Sequence, residues 1–165
     1  MYWYLIHTKP RQEKRALLNL ERQGYECYLP LLAVEKLHKG VLSVVEEPLF
    51  ARYLFIRLDD SQSGKSWGPI RSTKGVSHLV TFGTEYAKVD EQLIENLRAQ
   101  RDIQGSQPKP LFAHGERVRV TAGTFAGIEA VYQMSDGESR AMVLIEILSK
   151  PAQLKISPAN LSKVN

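Results

Sequence analysis

The segment Glu46-Glu47-Pro48-Leu49-Phe50-Ala51-Arg52-Tyr53-Leu54-Phe55-Ile56 places large apolar side chains on both faces of a predicted strand. Pro48 cannot donate a hydrogen bond to a sheet, so we expect the strand to begin at Phe50 and to run to Leu58. Alternation divides its side chains between two faces: Tyr53, Phe55 and Arg57 on one, and Leu54, Ile56 and Leu58 on the other. A strand that is apolar on both faces needs a cover on both, and a face without a cover becomes a docking surface.

The composition is that of an ordinary folded protein. With 165 residues, of which 43% are hydrophobic and 24% charged, the chain has room for one domain or two small ones. No apolar run approaches the roughly 20 residues of a membrane helix and the start has no basic leader, so we expect a cytoplasmic monomer without a membrane partner. The single Cys27 fits a reducing compartment. The net charge of +4 permits a nucleic acid partner without requiring one.

The pattern along the first 100 residues predicts an α+β fold, in which helices cover a mainly antiparallel sheet. Strands are expected at residues 2–7, 25–31, 50–58 and 76–82, with a hairpin or loop at 34–45 and a loop that can hold a short helix at 59–67. One helix is expected to open with Lys9-Pro10-Arg11 and to stop at Gly24. Another is expected at 90–101, where Leu93, Ile94 and Leu97 share one side.

A change of composition after residue 100 predicts two domains, at 1–100 and 111–165, joined by a polar linker at 101–110. The second domain has the pattern of a small barrel, with strands at 115–120, 129–133, 141–148 and 154–156 and a turn at Asp136-Gly137. The same domain also has apolar residues at helical spacing: Val118, Ala122, Phe125 and Tyr132, then Ala141, Leu144, Ile145 and Leu148. Its glycines at 123, 127 and 137 are poor helix residues. A barrel and a helical hairpin therefore both remain open.

The helix after Pro10 carries a candidate nucleic-acid surface. At 100° per residue, one stripe of this helix contains Arg11, Arg15, Asn19 and Arg22, and Lys9 and Lys14 flank it. Residues just before the fourth predicted strand extend the same basic surface: Arg71, Thr73 and Lys74. A basic ridge that includes an amide can hold phosphates and still reach base edges. A plain solvated helix face is the alternative reading of the same charges.

No catalytic, metal or cofactor site is predicted. The four histidines, His7, His38, His78 and His114, are scattered and lack metal-ligand spacing. Phosphate loops, nucleophile elbows and dinucleotide fingerprints are absent from the sequence. We therefore expect a binding protein rather than an enzyme.

Several separated motifs resemble the NusG family of transcription elongation factors. They are Trp3-Tyr4, residues 20–24, 47–55 and 75–80, and in the second domain 115–118 and 123–127. The resemblance implies an NGN domain, a linker and a KOW domain. Residues 73–78 and 136–142 are most similar to the specialised RfaH subfamily, whose members are antiterminators recruited by a DNA element on the non-template strand of a paused RNA polymerase. Ser66-Trp67-Gly68-Pro69 departs from the His-Thr-Thr-Thr segment that touches a second polymerase lobe there.

The resemblance also implies functional residues. A DNA-facing surface would consist of Lys9, Gln12, Arg15, Asn19, Arg22, Thr73 and Lys74. The clamp helices of the RNA polymerase largest subunit would bind Tyr53, Phe55, Phe82, Leu93, Ile94 and Leu97. Glu47 and Arg140 match an interdomain salt bridge that helps a helical tail to mask that surface, and as an exposed pair they would contribute at most about 1 kcal/mol. Phe125 and Leu148 match contacts with a small-subunit ribosomal protein.

The function expected from this resemblance is operon-specific transcription antitermination, with reduced pausing of RNA polymerase, fold switching of the tail and coupling to a ribosome. Two alternatives stay open. One is a general NusG-type elongation factor with a constitutive KOW barrel, and the other is a KOW-type protein of translation that binds RNA.

Overall fold

The computed structural model describes residues 1–60, 67–104, 131–132 and 134–149, which form an α+β fold as predicted. The predicted strands at 115–120 and 154–156, Phe125, Ser66 and residues 105–110 of the predicted linker lie outside these residues.

The strands are β1 Tyr2–Thr8, β2 Glu26–Tyr28, β3 Leu31–His38, β4 Val41–Pro48, β5 Tyr53–Leu58, β6 Val76–Leu79, β7 Thr81–Phe82, β8 Glu85–Tyr86 and β9 Lys88–Val89. The helices are α1 Glu13–Arg22, α2 Gly68–Arg71, α3 Glu91–Gln104 and α4 Gly137–Leu148. The main sheet is antiparallel in the order β2-β5-β1-β6, with β9 also paired to β1, and β3-β4 and β7-β8 form separate hairpins.

The two central strands, β1 and β5, are apolar on both faces, as the sequence predicts for β5. On one face, Tyr4, Ile6, Leu54 and Ile56 pack in a buried cluster with residues of α1 and α2, and we call this the α1 face. On the other, Trp3, Leu5 and Phe55 pack in a buried cluster with residues of α3 and α4, and we call this the tail-covered face. Both faces of the sheet are therefore closed.

Two predicted boundaries were wrong because the chain turns where a regular element was expected. Strand β5 begins at Tyr53 instead of Phe50, since the Tyr53 N–H donates to the Phe50 carbonyl and Arg52 has a φ of 70°. Helix α1 begins at Glu13, since Gln12 closes a turn on Lys9 and Arg11 has a φ of 62°. Pro10 therefore lies in a turn before the helix and not in its first turn.

The remaining strands also differ in detail from the prediction. The strand expected at 25–31 is divided between β2 and the start of β3, and the one expected at 76–82 is interrupted at Val80. The Val80 N–H donates to the carbonyl of Leu5, while its own carbonyl accepts from Ala87, so this residue connects β1 to the β7-β8 hairpin.

Two turn predictions are confirmed. Gly24 ends α1 with a φ of 91°, and bonds from Gly24 N–H to the Glu21 carbonyl and from Tyr25 N–H to the Leu20 carbonyl complete a Schellman cap. Residues 34–45 form a hairpin, which turns at Lys39-Gly40 where both φ angles are positive.

The end of the first domain and the tail are helical where they are described. Helix α3 continues to Gln104, so the first four residues of the predicted linker belong to it. Residues 141–148 lie in α4, which is the helical alternative for this segment and not the barrel strand. Within the described residues, no helix is long and apolar enough to cross a membrane.

Candidate functional site: two binding surfaces

The buried cluster on the tail-covered face includes or contacts the six residues that the family resemblance implies for polymerase binding. Phe55, Leu93, Ile94 and Leu97 are at most 1% exposed, and Tyr53 and Phe82 are partly buried against the same cluster. The cover consists of residues that lie more than 70 positions after β5 in the sequence: Val131, Tyr132, Ala141, Leu144, Ile147 and Leu148. The structure thus brings the predicted docking residues together, and α4 lies over them.

Helix α4 is anchored by polar contacts as well as by its apolar side. The Asp136 side chain caps it by accepting from the Glu138 N–H at 3.2 Å and from the Ser139 hydroxyl at 3.0 Å. The Ala51 N–H donates to the Gly137 carbonyl at 3.2 Å, across the contact between the tail and the β4–β5 turn. The Tyr132 hydroxyl, also in the tail, donates to the Leu97 carbonyl at 3.0 Å.

Arg140 is the most deeply buried charged residue of this contact, with no exposed surface. Its Nε donates to the Leu49 carbonyl at 2.6 Å, one terminal nitrogen donates to the Met134 carbonyl at 2.8 Å, and Nη2 lies 3.9 Å from the Glu47 carboxylate. Burial lowers the pKa of Arg140, and nearby Glu47 and Asp136 act in the opposite direction. The expectation of an exposed ion pair was therefore wrong, because the guanidinium is enclosed between the two parts of the chain.

A cleft of about 500 Å³ borders this contact. It separates α4 from the end of β1 and the start of β5, and it is lined by His7, Ala51, Arg52, Tyr53, Glu138, Ala141, Met142, Ile145 and Glu146. Leu148, predicted to contact a ribosomal protein, is only 9% exposed and is part of the buried cluster. It is therefore covered while α4 is docked.

The predicted DNA-facing surface lies around α1, on the side of the sheet that carries the α1 face. Lys9, Arg15, Arg22 and Lys74 are exposed, and Gln12 and Asn19 are half-buried. The Asn19 side-chain amide donates to the carbonyl of Arg15 at 2.9 Å and to that of Lys74 at 3.5 Å. This amide joins the helix to the loop before β6, so the two predicted parts of the surface are adjacent.

A glycine makes this close approach possible. Gly75 has a φ of 95°, and a Cβ at this position would lie 2.7 Å from the backbone nitrogen of Ala16. Any larger residue would push the loop away from α1. The glycine therefore keeps Lys74 beside the basic stripe.

Thr73 does not face solvent as the predicted DNA-facing set requires. It is 7% exposed, its hydroxyl donates to the Pro69 carbonyl at 2.8 Å, and it accepts from the Gln23 side chain at 2.7 Å. We therefore revise the assignment of Thr73: it fixes the loop that presents Lys74.

Trp67, in the segment that departs from the RfaH pattern, packs within the first domain. Its ring centre lies 4.9 Å from that of Tyr4 and 5.3 Å from that of Tyr86, and its Nε1 donates to the Asp59 carbonyl at 3.0 Å. These contacts fix the start of α2.

Glu13, a buried carboxylate in the first turn of α1, was not predicted from the sequence. Its Oε2 accepts from the Arg52 N–H at 2.9 Å, and it is 7% exposed. A usable signal was present, because Glu13 is the only acidic residue in the basic segment from Lys9 to Arg15. Among the described residues, no cluster of His, Cys, Asp and Glu could hold a metal ion.

The described residues form an α+β domain whose main sheet is covered on one face by α1 and α2 and on the other by α3 and α4, with exposed cations around α1. The family model described as "Transcription termination factor nusG" matches residues 1–98. The chain belongs to the NusG family. NusG proteins are transcription factors, so the prediction that this chain is not an enzyme is confirmed, and RNA polymerase is the partner that the family implies.

Two sequence relatives agree with this assignment. The transcription termination/antitermination protein NusG of Campylobacter jejuni is 30% identical over 94% of this chain and 94% of that protein. The protein of the same name from Thermus thermophilus is 26% identical over 94% of this chain and 95% of its own length. A solved structure titled "Domain interaction in Thermotoga maritima NusG" is 16% identical, with a TM-score of 0.44 over 74% of this chain and 71% of that one.

Proposed function

We propose that this chain is a sequence-recruited, autoinhibited transcription antitermination factor. In its active form, the tail-covered face binds the clamp helices of RNA polymerase, and the basic surface around α1 binds the displaced non-template DNA strand. Binding in this way would keep the polymerase clamp closed and reduce pausing.

One observation carries the proposal: α4 is packed on the very residues predicted to bind polymerase. Phe55, Leu93, Ile94 and Leu97 have almost no surface left for a partner while Leu144 and Ile147 lie in the same cluster. A buried Leu or Ile side chain contributes roughly 1.5–3 kcal/mol, so this cover is a stable one. Polymerase must displace α4 in order to bind, and the factor is therefore inactive until a signal releases the tail.

The proposed signal is DNA, which the surface around α1 can bind without any change in the tail. Arg15, Arg22 and Lys74 supply exposed cations for phosphates. The Asn19 side-chain nitrogen is held by the carbonyls of Arg15 and Lys74, which leaves its Oδ1 as the atom that can accept from a base edge. After release of the tail, Leu148 becomes available, and the second domain would bind a small-subunit ribosomal protein.

A selection experiment tests the sequence preference. Elongation complexes would be paused on templates whose non-template strand carries a random segment, incubated with the full-length protein, and the bound fraction sequenced. We expect a short enriched motif, lost in the variant Arg15→Ala/Arg22→Ala and kept in Lys39→Ala, which changes an exposed cation in the β3–β4 turn.

The outcomes separate this proposal from its rival. A general NusG-type factor would bind the paused complexes with no enriched motif. A protein that does not bind the complexes at all, even when the tail is opened by Leu144→Asp, would contradict the proposed polymerase contact itself.

A further inference from the structure

The turn between β4 and β5, residues 49–52, is held from two opposite directions. From the tail, the Gly137 carbonyl accepts from the Ala51 N–H at 3.2 Å, and Arg140 donates to the Leu49 carbonyl at 2.6 Å. From the other direction, the Glu13 carboxylate accepts from the Arg52 N–H at 2.9 Å. The same four residues therefore connect α4 to the first residue of α1.

The conformation of this turn depends on these contacts. Arg52 has a φ of 70°, in the left-handed region that L-residues rarely adopt. Two bonds with Thr8 hold Arg52 further: its backbone carbonyl accepts from the Thr8 N–H at 2.8 Å, and its side-chain Nε donates to the Thr8 carbonyl at 3.1 Å. The Glu13 side chain is buried, and a hydrogen bond from a backbone N–H to a carboxylate is stronger than one between neutral groups.

We propose that Glu13 is the positioning residue that couples the DNA-facing helix to the docked tail. Its carboxylate holds the turn in the shape that receives Gly137 and Arg140, so a change in the first turn of α1 alters how firmly α4 is docked. Coupling of this kind is reciprocal, and release of α4 must loosen the first turn of α1 by the same factor. The inference rests on the proposed function, since it names how the two surfaces regulate each other.

Amide hydrogen exchange on the full-length protein measures this coupling, because protection of an amide reports how rarely its bond opens. The amides of Leu144 and Ile147 report undocking of α4. We expect Glu13→Ala to lower their protection by on the order of tenfold, as for loss of a charge-assisted bond. Glu13→Gln keeps an acceptor without the charge, so the protection of α4 in this variant should lie between that in Glu13→Ala and that in the unchanged protein.

Two controls separate positioning from a general loss of stability. Glu21→Ala removes an exposed carboxylate from the same helix and should leave the protection of α4 unchanged. Arg52→Gly keeps the N–H that Glu13 binds and accepts a positive φ without strain, so α4 should stay protected to within about threefold. Thermal unfolding of each variant shows whether the first domain remains folded.

A double-mutant cycle provides the decisive measurement. Glu13 and Arg140 contact different residues of the turn, so independent effects would multiply. If the turn connects Glu13 and Arg140, the double variant Glu13→Ala/Arg140→Ala loses less protection of α4 than the product of the two single losses. We expect this difference to be at least threefold. The control pair Glu26→Ala/Arg140→Ala should be multiplicative, because Glu26 pairs with Arg57 on β5, outside the turn.

The reverse direction is tested at the amide of Ala16, which bonds to the Gln12 carbonyl at 2.9 Å in the first turn of α1. Opening the tail with Leu144→Asp should lower the protection of the Ala16 amide. In a protein that already carries Glu13→Ala, Leu144→Asp should no longer change that protection. If the effects in the double-mutant cycle multiply while α4 is protected in the unchanged protein, the coupling is overturned but the proposed autoinhibition is not. Unprotected α4 amides in the unchanged protein would overturn both the coupling and the autoinhibition of the proposed function.

Discussion

The two faces of the main sheet both pack against helices, yet they are covered in different ways. The α1 face is covered by Ala16, Leu20 and Ile70, which come from helices within the first domain. The tail-covered face is covered in part by α3 and in part by Leu144 and Ile147 of α4, from the other end of the sequence. Burial alone does not distinguish a permanent core from the masked binding surface that we propose.

The two covers differ in how the chain connects them to the main sheet. Helix α1 follows β1 directly and is joined to β2 by a tight Schellman cap, so it cannot leave without unfolding. Helix α4 belongs to the second predicted domain, and under the proposed function it leaves while the strands remain paired; we call it the removable cover. The comparison predicts that matched substitutions under the two covers have different consequences.

The largest effect is expected from placing a charge under each cover. Leu20→Asp and Leu144→Asp both replace a leucine with no exposed surface, and an unpaired buried carboxylate costs at least about 4 kcal/mol. We expect Leu20→Asp to abolish cooperative unfolding of the first domain. Leu144→Asp should leave that domain folded, release α4, and increase binding to core RNA polymerase, measured by circular dichroism and by retention on immobilised polymerase.

Met142→Asp is the matched control, since this side chain lies on the same helix and is 73% exposed. It should change neither the fold nor polymerase retention. If Leu144→Asp unfolded the first domain as Leu20→Asp does, the two covers would be equivalent and the distinction between the faces would be lost.

The second-largest effect concerns Arg140, the fully buried charged residue of α4. Glu47→Ser leaves the buried Arg140 guanidinium without its carboxylate, and we expect it to favour the open tail by about 2 kcal/mol, less than for a fully buried pair because Glu47 is a quarter exposed. Comparison of ¹H–¹⁵N NMR spectra should show new tail signals in this variant. Lys36→Met removes the other cation near Glu47, at 3.5 Å and half-exposed, and should change the equilibrium by less than 0.5 kcal/mol. Unchanged tail signals in Glu47→Ser would contradict a role for the pair in docking.

A third, smaller effect is expected at the start of the removable cover. Asp136 caps α4, and loss of an N-cap costs about 1 kcal/mol. Asp136→Ala should lower the hydrogen-exchange protection of α4 by about fivefold, whereas Asp136→Asn, which retains a cap acceptor, should restore most of it. Equal protection in all three proteins would show that packing alone holds the helix.

The sequence predicted the sheet and its two faces because alternation in β5 is a local property. Tyr53, Phe55 and Leu54 can be assigned to faces from their spacing alone, and each lies where this spacing places it. The start of β5 was missed because Arg52 adopts a positive φ, which a short-range pattern does not favour for arginine. Contacts from Glu13 and Thr8, distant in the sequence, impose it.

The candidate sites were only partly predictable for the same reason. Residues 141–148 fit both a strand and a helix, so the outcome depends on the tail-covered face, with which the helix packs. Thr73 was assigned to a DNA-facing surface from the family resemblance and from its place just before β6. Its hydroxyl instead bonds to Pro69 and Gln23, a contact that no spacing rule reveals.

The smallest effect is a dependence on pH at the rim of the removable cover. Burial lowers the pKa of His7, which borders the cleft beside Tyr53 and Ile145, and nearby Arg52 and His78 lower it further. With its pKa below the usual 6.5, His7 binds fewer protons in the folded protein than in the unfolded chain. Stability should therefore be greatest above pH 6.5 and should fall as the pH drops below it.

Thermal unfolding at pH 8 and at pH 5.5 measures this contribution. Asp136 does not contribute to the difference between these two pH values. Burial raises the pKa of its carboxyl, but the bonds from Glu138 and Ser139 lower that pKa more. A carboxyl with a net lowered pKa loses its contribution only in stronger acid, below its usual value of 3.8. We expect His7→Gln to unfold with a smaller pH dependence than the unchanged protein between these two values. An identical dependence in both proteins would show that His7 titrates as it does in the unfolded chain, and that the rim of the cleft is as open to water as the exposed surface of α1.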